Sequence, residues 1–169
     1  VVDAGGGGGT NALAIAHAYS NIKVSVFDSA SVCELANQNI EQASMTEQVK
    51  TWPGNFFDTP FPPDTDCIVY CHILTIWSMK KNHTLLKRSY DALPENGAVV
   101  IFNMMGNDDD SGPLSTALGS PYFLAIATGE GMLHPWKDYE AILKEVGFKQ
   151  IVRLDQGLPI DHGILVGIK

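Results

Sequence analysis

A run of five glycines, Gly5 to Gly9, is the feature that most restricts what this chain can fold into. It follows the short stretch Val1 to Ala4 and precedes a helix-compatible segment, Ala12 to Tyr19. Strand, glycine turn and helix is the order found at nucleotide-type cofactor sites. Glycines reach positive φ without steric cost, and the N–H groups at the start of the helix point toward the ligand. The pattern predicts a cofactor cradle, with a flexible linker as the alternative.

Two acidic residues stand where predicted strands end. Asp3 ends the first strand, and Asp28 ends a second β-rich run, Lys23 to Phe27. A carboxylate at the tip of the second strand, about 20 residues past the glycines, can accept hydrogen bonds from ribose hydroxyls. This spacing fits a dinucleotide and S-adenosylmethionine equally, so both cofactors remain possible at this point.

Composition and charge restrict the function classes. With 169 residues, of which 45% are apolar, the chain is expected to form one globular domain over residues 1–169. The net charge of -8 argues against a nucleic-acid surface, because phosphate binding needs clustered Lys and Arg. The closest basic cluster, Lys80-Lys81 with Lys87-Arg88, is interpreted as a solvated helix face. No apolar run approaches the ~20 residues that cross a bilayer, and no secretory signal opens the chain.

Cysteines and acidic residues give no metal site. The chain has three cysteines, and two of them, Cys67 and Cys71, share one predicted strand and lie too far apart to bridge. Reduced thiols of this kind indicate a cytoplasmic protein. The run Asp108 to Asp110 lacks alternating ligand spacing, so we expect a solvated acidic loop there and no bound metal.

Strand and helix patterns alternate along the whole chain, which predicts an α/β fold with a largely parallel sheet. After a third strand, Gln48 to Trp52, Asn55 could hydrogen-bond a base edge while Phe56 covers its face; an ordinary polar loop is the equal alternative. The next predicted strands are a fourth over Cys67 to Leu74 and a fifth over Ala98 to Phe102. A helix is predicted over Pro113 to Ala127, and Gly119-Ser120-Pro121 should kink or divide it. Two paired strands are predicted to close the fold.

Several motifs occur together in a recognisable order. They are Val2-Asp3-Ala4 with the glycine run, Val26-Phe27-Asp28, Gly54-Asn55-Phe56-Phe57 and His72 to Ser78. Together they resemble the S-adenosylmethionine-dependent small-molecule O-methyltransferases, which include plant caffeate and hydroxyindole enzymes and bacterial antibiotic-tailoring enzymes. The resemblance covers essentially the whole chain and corresponds to the C-terminal catalytic domain of that family.

The resemblance implies a Rossmann-like class I methyltransferase fold, with a mostly parallel seven-stranded sheet, helices on both faces and an antiparallel last strand. It also implies S-adenosylmethionine as cofactor, a small-molecule acceptor, and a role in secondary metabolism. A homodimer is expected only for a longer form that carries the family's N-terminal helical region. The implied cofactor contacts are Asp3, Gly5, Gly7, Asp28, Ser29, Asn55, Phe56, Cys71 and Trp77.

The family's acid-base residues do not match. Its general base is a His two residues before the Trp, and that position is Thr75; its two supporting Glu residues correspond to Asn103 and Leu133. Losing a base typically forfeits ~10²- to 10⁴-fold in rate. We therefore consider His134 as a replacement base, an acceptor that ionises readily, or a carbon or nitrogen nucleophile that needs no such base. Two alternatives to a methyltransferase remain. One is a domain that binds the cofactor without transferring methyl, or that serves another reaction, and the other is a nicotinamide dehydrogenase.

Overall fold

The computed structural model describes residues 1–169 and contains one seven-stranded sheet with the spatial order β3-β2-β1-β4-β5-β7-β6. The strands are β1 (Val2–Ala4), β2 (Val24–Asp28), β3 (Val49–Pro53), β4 (Cys67–Cys71), β5 (Ala98–Met104), β6 (Gln150–Leu154) and β7 (His162–Ile168). The first five strands pair in parallel, whereas β7 runs antiparallel to both of its neighbours. The expected mostly parallel sheet with an antiparallel last strand is confirmed.

Helices cover both faces of this sheet. They are α1 (Thr10–Ala18), α2 (Ala30–Gln42), α3 (Met79–Ala92), α4 (Leu114–Phe123) and α5 (Trp136–Val146). The first two helices pack on β2 and β3 around a small apolar cluster that includes Ala12, Val26 and Ala36. The larger cluster joins α3 and α5 to the opposite face. None of the helices is both long enough and apolar enough to span a membrane.

Local sequence signals explain why α5 begins and ends where it does. Pro135 precedes the helix with φ −68, a value that the proline ring fixes, and Gly147 ends it in the left-handed region at φ 116. Between them the helix buries Tyr139, Ile142 and Leu143 against the sheet, at the spacing of one helical face.

The fourth strand is shorter than the sequence predicts. It ends at Cys71, because His72 takes a positive φ of 58 and the chain then forms a 3-10 turn over Leu74–Ile76. The predicted apolar run extends into this turn, where Leu74 and Thr75 are fully buried. Hydrophobicity alone therefore could not distinguish the end of the strand from the buried turn.

One further prediction needs correction. Helix α4 runs through Pro121 without being divided, and a π-helical turn, Leu124–Thr128, follows it. The acidic loop is exposed, as predicted, and ion pairs also hold it: Arg153 donates to Asp108 at 2.7 Å, and the Lys137 ammonium lies 2.9 Å from Asp110. Desolvation raises the pKa of Asp108, but the hydrogen bonds from Arg153 and the Lys137 backbone N–H, with the positive charges of both residues, together hold that pKa below its usual value. These ion pairs attach the loop to α5 and β6.

Candidate functional site

The glycine run forms an open turn between β1 and α1. Gly5, Gly7 and Gly9 have φ values of 72, 56 and 83, which side-chain-bearing residues rarely adopt. A Cβ on Gly7 would meet no atom within 4 Å, so the space in front of this residue is open. A Cβ on Gly5 would instead lie 2.3 Å from Ile73 Cδ1, because the chain after β4 packs directly on the loop. The predicted glycine turn between strand and helix is therefore present, with Ile73 packed against it.

Asp28 fixes the glycine loop to the end of β2. Its Oδ2 accepts a hydrogen bond from the Gly7 backbone N–H at 3.0 Å, and its Oδ1 accepts one from the Ser29 N–H at 2.7 Å. A carboxylate has about four acceptor positions, so two remain for a ligand. Ser29 precedes α2 as its N-cap residue, but its side chain makes no capping bond. The structure therefore brings Gly7, Asp28 and Ser29 together as the sequence predicts.

Asp3 is a buried carboxylate without a hydrogen-bond partner in the chain. Its side chain is 1% exposed, and neither oxygen has a partner. Burial raises its pKa to about 6. The nearby Ala12 backbone N–H, which does not reach normal hydrogen-bond geometry, partly opposes this rise, and the negative charge of Asp28 adds to it. Burial, followed by the charge of Asp3, also raises the pKa of the Cys71 thiol to about 11, so that thiol is neutral. Such an uncompensated carboxylate needs a hydrogen-bond donor or a positive charge beside it.

The loop after β3 is held in a fixed shape. The Asn55 side chain accepts from the Phe57 N–H at 3.0 Å and donates to Asp58 at 3.2 Å. Phe56 packs edge-on against Phe27, with ring centroids 6.1 Å apart. Arg88 donates from Nε to the Phe56 carbonyl at 2.9 Å, so this residue supports the loop and does not belong to a solvated helix face. One N–H and one acceptor position of the Asn55 amide remain available for a ligand such as adenine.

The turn after β4 carries the position where the family has its base. Thr75 is fully buried, and its hydroxyl donates to the His72 carbonyl at 2.7 Å. Trp77 packs edge-on against Phe57 at 5.1 Å, and its indole N–H is buried without a partner. Thr75 therefore supports the turn, and its hydroxyl is not free to take a proton from an acceptor.

The two positions that correspond to the family's Glu residues are also buried and uncharged. Leu133 is 4% exposed, and Asn103, on β5, is fully buried with no partner for either side-chain atom. Tyr139 lies on the neighbouring helix and is equally buried, and its hydroxyl faces the Asn103 side chain without reaching normal hydrogen-bond geometry. Burial raises the pKa of Tyr139 far above its usual value, so the phenol is neutral.

His134 lies at the start of the segment that leads into α5. Its ring is 7% exposed, and Nδ1 stands 3.6 Å from Asp138 Oδ2. Burial lowers its pKa, and the Asp138 carboxylate partly opposes this change. The imidazole is therefore mostly neutral near pH 7 and can accept a proton.

His134 also lines a groove of about 480 Å³ between α3 and α4. Its walls are largely apolar, from Met79, Pro121, Leu124 and Met132, and its polar side chains include Ser78 and Glu130. This combination of apolar walls and a few polar groups is typical of small-molecule sites. A larger cavity of about 640 Å³ lies at the opposite edge of the sheet, around Val1 and Ser25, away from every predicted site residue.

Sequence reasoning missed Glu130, Lys81 and Ile73. The sequence alone gives Glu130 no role, and it indicates a solvated helix face at Lys81. The glycines on both sides of Glu130 were the available signal, since paired glycines often mark a close backbone approach. The observed contact is the Gly131 backbone against Thr75, where a Cβ would lie 2.5 Å from the Thr75 carbonyl oxygen.

A family model for the O-methyltransferase domain matches residues 1–149 of this chain. The L-tyrosine C(3)-methyltransferase of Streptomyces lavendulae is 34% identical over 100% of this chain and 47% of its own length. The 3-hydroxy-5-methyl-1-naphthoate 3-O-methyltransferase of Streptomyces sahachiroi is 30% identical, over 100% of this chain and 48% of its own length.

Solved structures of methyltransferases also superpose on this chain. The S-adenosylmethionine-dependent methyltransferase SibL, in its apo form, superposes with a TM-score of 0.93 at 36% identity, over 99% of this chain and 49% of SibL. Human N-acetylserotonin methyltransferase in complex with SAM gives a TM-score of 0.88 at 28% identity, over 99% of this chain and 46% of that protein. The chain therefore spans about half the length of the relatives that it matches.

Proposed function

This chain belongs to the O-methyltransferase domain family, and we propose that it is the S-adenosylmethionine-binding part of a methyltransferase acting on a small organic acceptor. Its fold is the Rossmann-like class I methyltransferase fold, as the resemblance implied. The activity is that of the whole protein, to which this chain contributes the cofactor edge and one side of an acceptor groove.

The residues at the carboxyl edge of the sheet fit this cofactor. The open space at Gly7 admits a ligand close to the backbone, and Asp28 has acceptor positions left for ribose hydroxyls. The unpartnered Asp3 carboxylate suits a ligand with positive charge, which S-adenosylmethionine carries on its ammonium and sulfonium groups. Phe56 and Trp77 offer apolar surface on the same side.

We propose further that the accepting atom is a ring carbon of a phenolic α-amino acid. The observation that carries this proposal is the buried Thr75, whose hydroxyl is bonded to a backbone carbonyl where an O-methyltransferase of this family has its base. A relative that shares 34% identity over the whole chain is named for methylation at C(3) of L-tyrosine. A ring carbon next to a phenol oxygen is nucleophilic without a base at the position of Thr75.

His134 is the group best placed to hold a proton in such a reaction. The cofactor, when bound, supplies an electrophilic methyl group. A ring carbon that accepted this methyl group would have to lose one proton to restore the aromatic ring, and the cofactor would leave as a neutral thioether. His134, neutral because burial lowers its pKa, can accept that proton from the groove, and Asp138 stabilises the imidazolium that forms.

Two measurements on the full-length protein test this function. Isothermal titration with S-adenosylhomocysteine should give saturable binding, since the cofactor edge lies within this chain. Incubation with labelled S-adenosylmethionine and a set of phenolic amino acids should give a product methylated on carbon, identified by NMR. A product methylated only on oxygen would refute the carbon assignment and leave the methyltransferase proposal intact.

A second candidate is a cofactor-binding domain that is catalytically silent or serves another reaction. The observation in its favour is that Thr75, Asn103 and Leu133 are all buried and none carries an ionisable side chain. Detection of any methylated product from the full-length protein would exclude a silent domain.

The homodimer expected for a longer form, and a cytoplasmic location, remain predictions. Helix α4 exposes Leu114, Leu118 and Tyr122 on one face, at 72%, 69% and 57%, which supports a contact of this helix with another helical region. Sedimentation analysis of the full-length protein would test the dimer.

A further inference from the structure

The geometry points to Glu130 and Lys81 as the site that recognises the charged head of an aromatic α-amino acid acceptor. This inference rests on the proposed acceptor class and adds the residues that would select it. Glu130 would bind the ammonium group, Lys81 would bind the carboxylate, and the aromatic ring would extend from them into the apolar groove.

Glu130 stands at the rim of the groove with its carboxylate already oriented. Ser78 donates to Glu130 Oε2 at 2.9 Å, and the Lys81 ammonium lies 2.9 Å from Glu130 Oε1. Lys81 also lies over the Trp77 ring, 4.5 Å from its centroid. The charged side chains of Lys81 and Glu130 are 41% and 37% exposed, so a ligand can reach both. An amino acid can insert its two opposite charges between them.

The loop that carries Glu130 is held close to the turn at Thr75. A Cβ on Gly131 would lie 2.5 Å from the Thr75 carbonyl oxygen, so only glycine permits this approach. The Thr128 hydroxyl donates to the Ile76 carbonyl, and the Glu130 N–H donates to the Thr128 hydroxyl at 3.3 Å. Glu130 is therefore fixed at a defined position relative to the turn where the reaction is expected.

The groove beyond this rim suits an aromatic ring. Its volume of about 480 Å³ exceeds that of one aromatic amino acid, and Met79, Leu124 and Met132 give flexible apolar walls. His134 lines the same groove, so a ring held by its charged head can present a carbon to the imidazole. A purely structural ion pair with this exposure would contribute little to stability.

Three acceptors and two variants of the full-length protein test the inference. The acceptors are L-tyrosine, tyramine, which lacks the carboxylate, and 3-(4-hydroxyphenyl)propanoate, which lacks the ammonium group. The variants are Glu130→Gln and Lys81→Met. The controls are Lys87→Met and Asp91→Asn, which remove an ion pair farther along the same helix. The measured quantity is kcat/KM for methylation with labelled S-adenosylmethionine.

We expect a crossed pattern. Glu130→Gln should lower kcat/KM about 10- to 100-fold for L-tyrosine and tyramine, and leave the propanoate within about twofold. Lys81→Met should lower it by a similar factor for L-tyrosine and the propanoate, but not for tyramine. Both control variants should stay within about twofold of wild type for all three acceptors.

The outcomes separate this inference from the function on which it rests. Equal effects on all three acceptors, or none, would overturn the head-group assignment and leave the methyltransferase intact. A wild-type protein that binds S-adenosylhomocysteine but methylates none of the three would overturn the proposed acceptor class and this inference with it. If a variant fails to fold, the kcat/KM values of the wild-type protein for the three acceptors still test the inference. A higher value for L-tyrosine than for the other two would support it, and equal values would overturn it.

Discussion

Replacing Asp3 by asparagine should stabilise the protein at neutral and alkaline pH while weakening its binding of S-adenosylmethionine. Asp3 is 1% exposed, and neither of its oxygens has a hydrogen-bond partner in the chain. Its charge is therefore a cost to folding that a bound cation would offset. The substitution removes the charge and keeps the size of the side chain.

The magnitude follows from the pKa of Asp3. Burial raises it from 3.8 to about 6 in the native protein. Between these values the native state keeps a proton that the unfolded state has lost, so the free energy of unfolding falls as pH rises. The stability that the protonated carboxyl contributes is complete below pH 3.8 and lost as pH rises through about 6. Each unit of pKa difference between the native and unfolded states corresponds to about 1.4 kcal/mol. Above about pH 6 the charged carboxylate therefore lowers the free energy of unfolding by about 3 kcal/mol.

Urea unfolding of the full-length protein at pH 4 and pH 8 checks this reasoning. At pH 8 we expect Asp3→Asn to be more stable than wild type by about 1–3 kcal/mol, because the buried charge is gone. The gain is smaller than the full cost of the charge, since the buried amide also lacks hydrogen-bond partners. At pH 4 the two proteins should differ little. Asp155→Asn, at an exposed position, is the matched control and should change neither value.

Titration with S-adenosylmethionine completes the experiment. The variant should bind at least about tenfold more weakly, since a charge-assisted contact is typically worth about 1.5–3 kcal/mol. If Asp3→Asn were less stable than wild type at pH 8, the burial argument would be wrong. If its affinity were unchanged, Asp3 would not face the cofactor.

Three other substitutions in the full-length protein give further checks. Asp28→Asn leaves one of two backbone N–H groups, that of Gly7 or that of Ser29, without an acceptor and removes the negative charge, so the Kd for S-adenosylhomocysteine should rise about 10- to 100-fold by calorimetry. His134→Gln should reduce kcat by ~10²- to 10⁴-fold with little change in cofactor affinity, and unchanged turnover would remove His134 from the mechanism. Gly131→Ala places a Cβ 2.5 Å from a carbonyl oxygen and should cost more than about 2 kcal/mol in urea unfolding, whereas Gly129→Ala, with open space around it, should cost only about 1 kcal/mol. Equal losses for the two glycines would contradict the close approach at Thr75.

The sheet and the cofactor edge could be predicted because both depend on local signals. The glycine run reaches positive φ only with glycine, and Asp28 follows a short β-branched strand at the spacing that brings it beside the loop. Parallel strands place their carboxyl ends at one edge, and the family resemblance implied that Asp3 and Cys71 contact the cofactor there. These inferences required no knowledge of distant contacts.

The acceptor side could not be predicted in the same way because it depends on contacts between distant segments. Glu130 meets Ser78 across 52 positions of sequence, and Arg88 reaches the Phe56 carbonyl across 32. Neither contact leaves a local pattern. The end of β4 was missed for a related reason: the 3-10 turn after it is as apolar and as buried as the strand itself.

The central claim is that S-adenosylmethionine binds at the carboxyl edge of this sheet, and a crystal structure of the full-length protein soaked with S-adenosylhomocysteine tests it most directly. We expect density for the ligand against Gly5 to Gly9, with a ribose hydroxyl within hydrogen-bond distance of Asp28 and the amino group beside Asp3. A glycine loop without ligand, or a ligand bound elsewhere on the protein, would contradict the account.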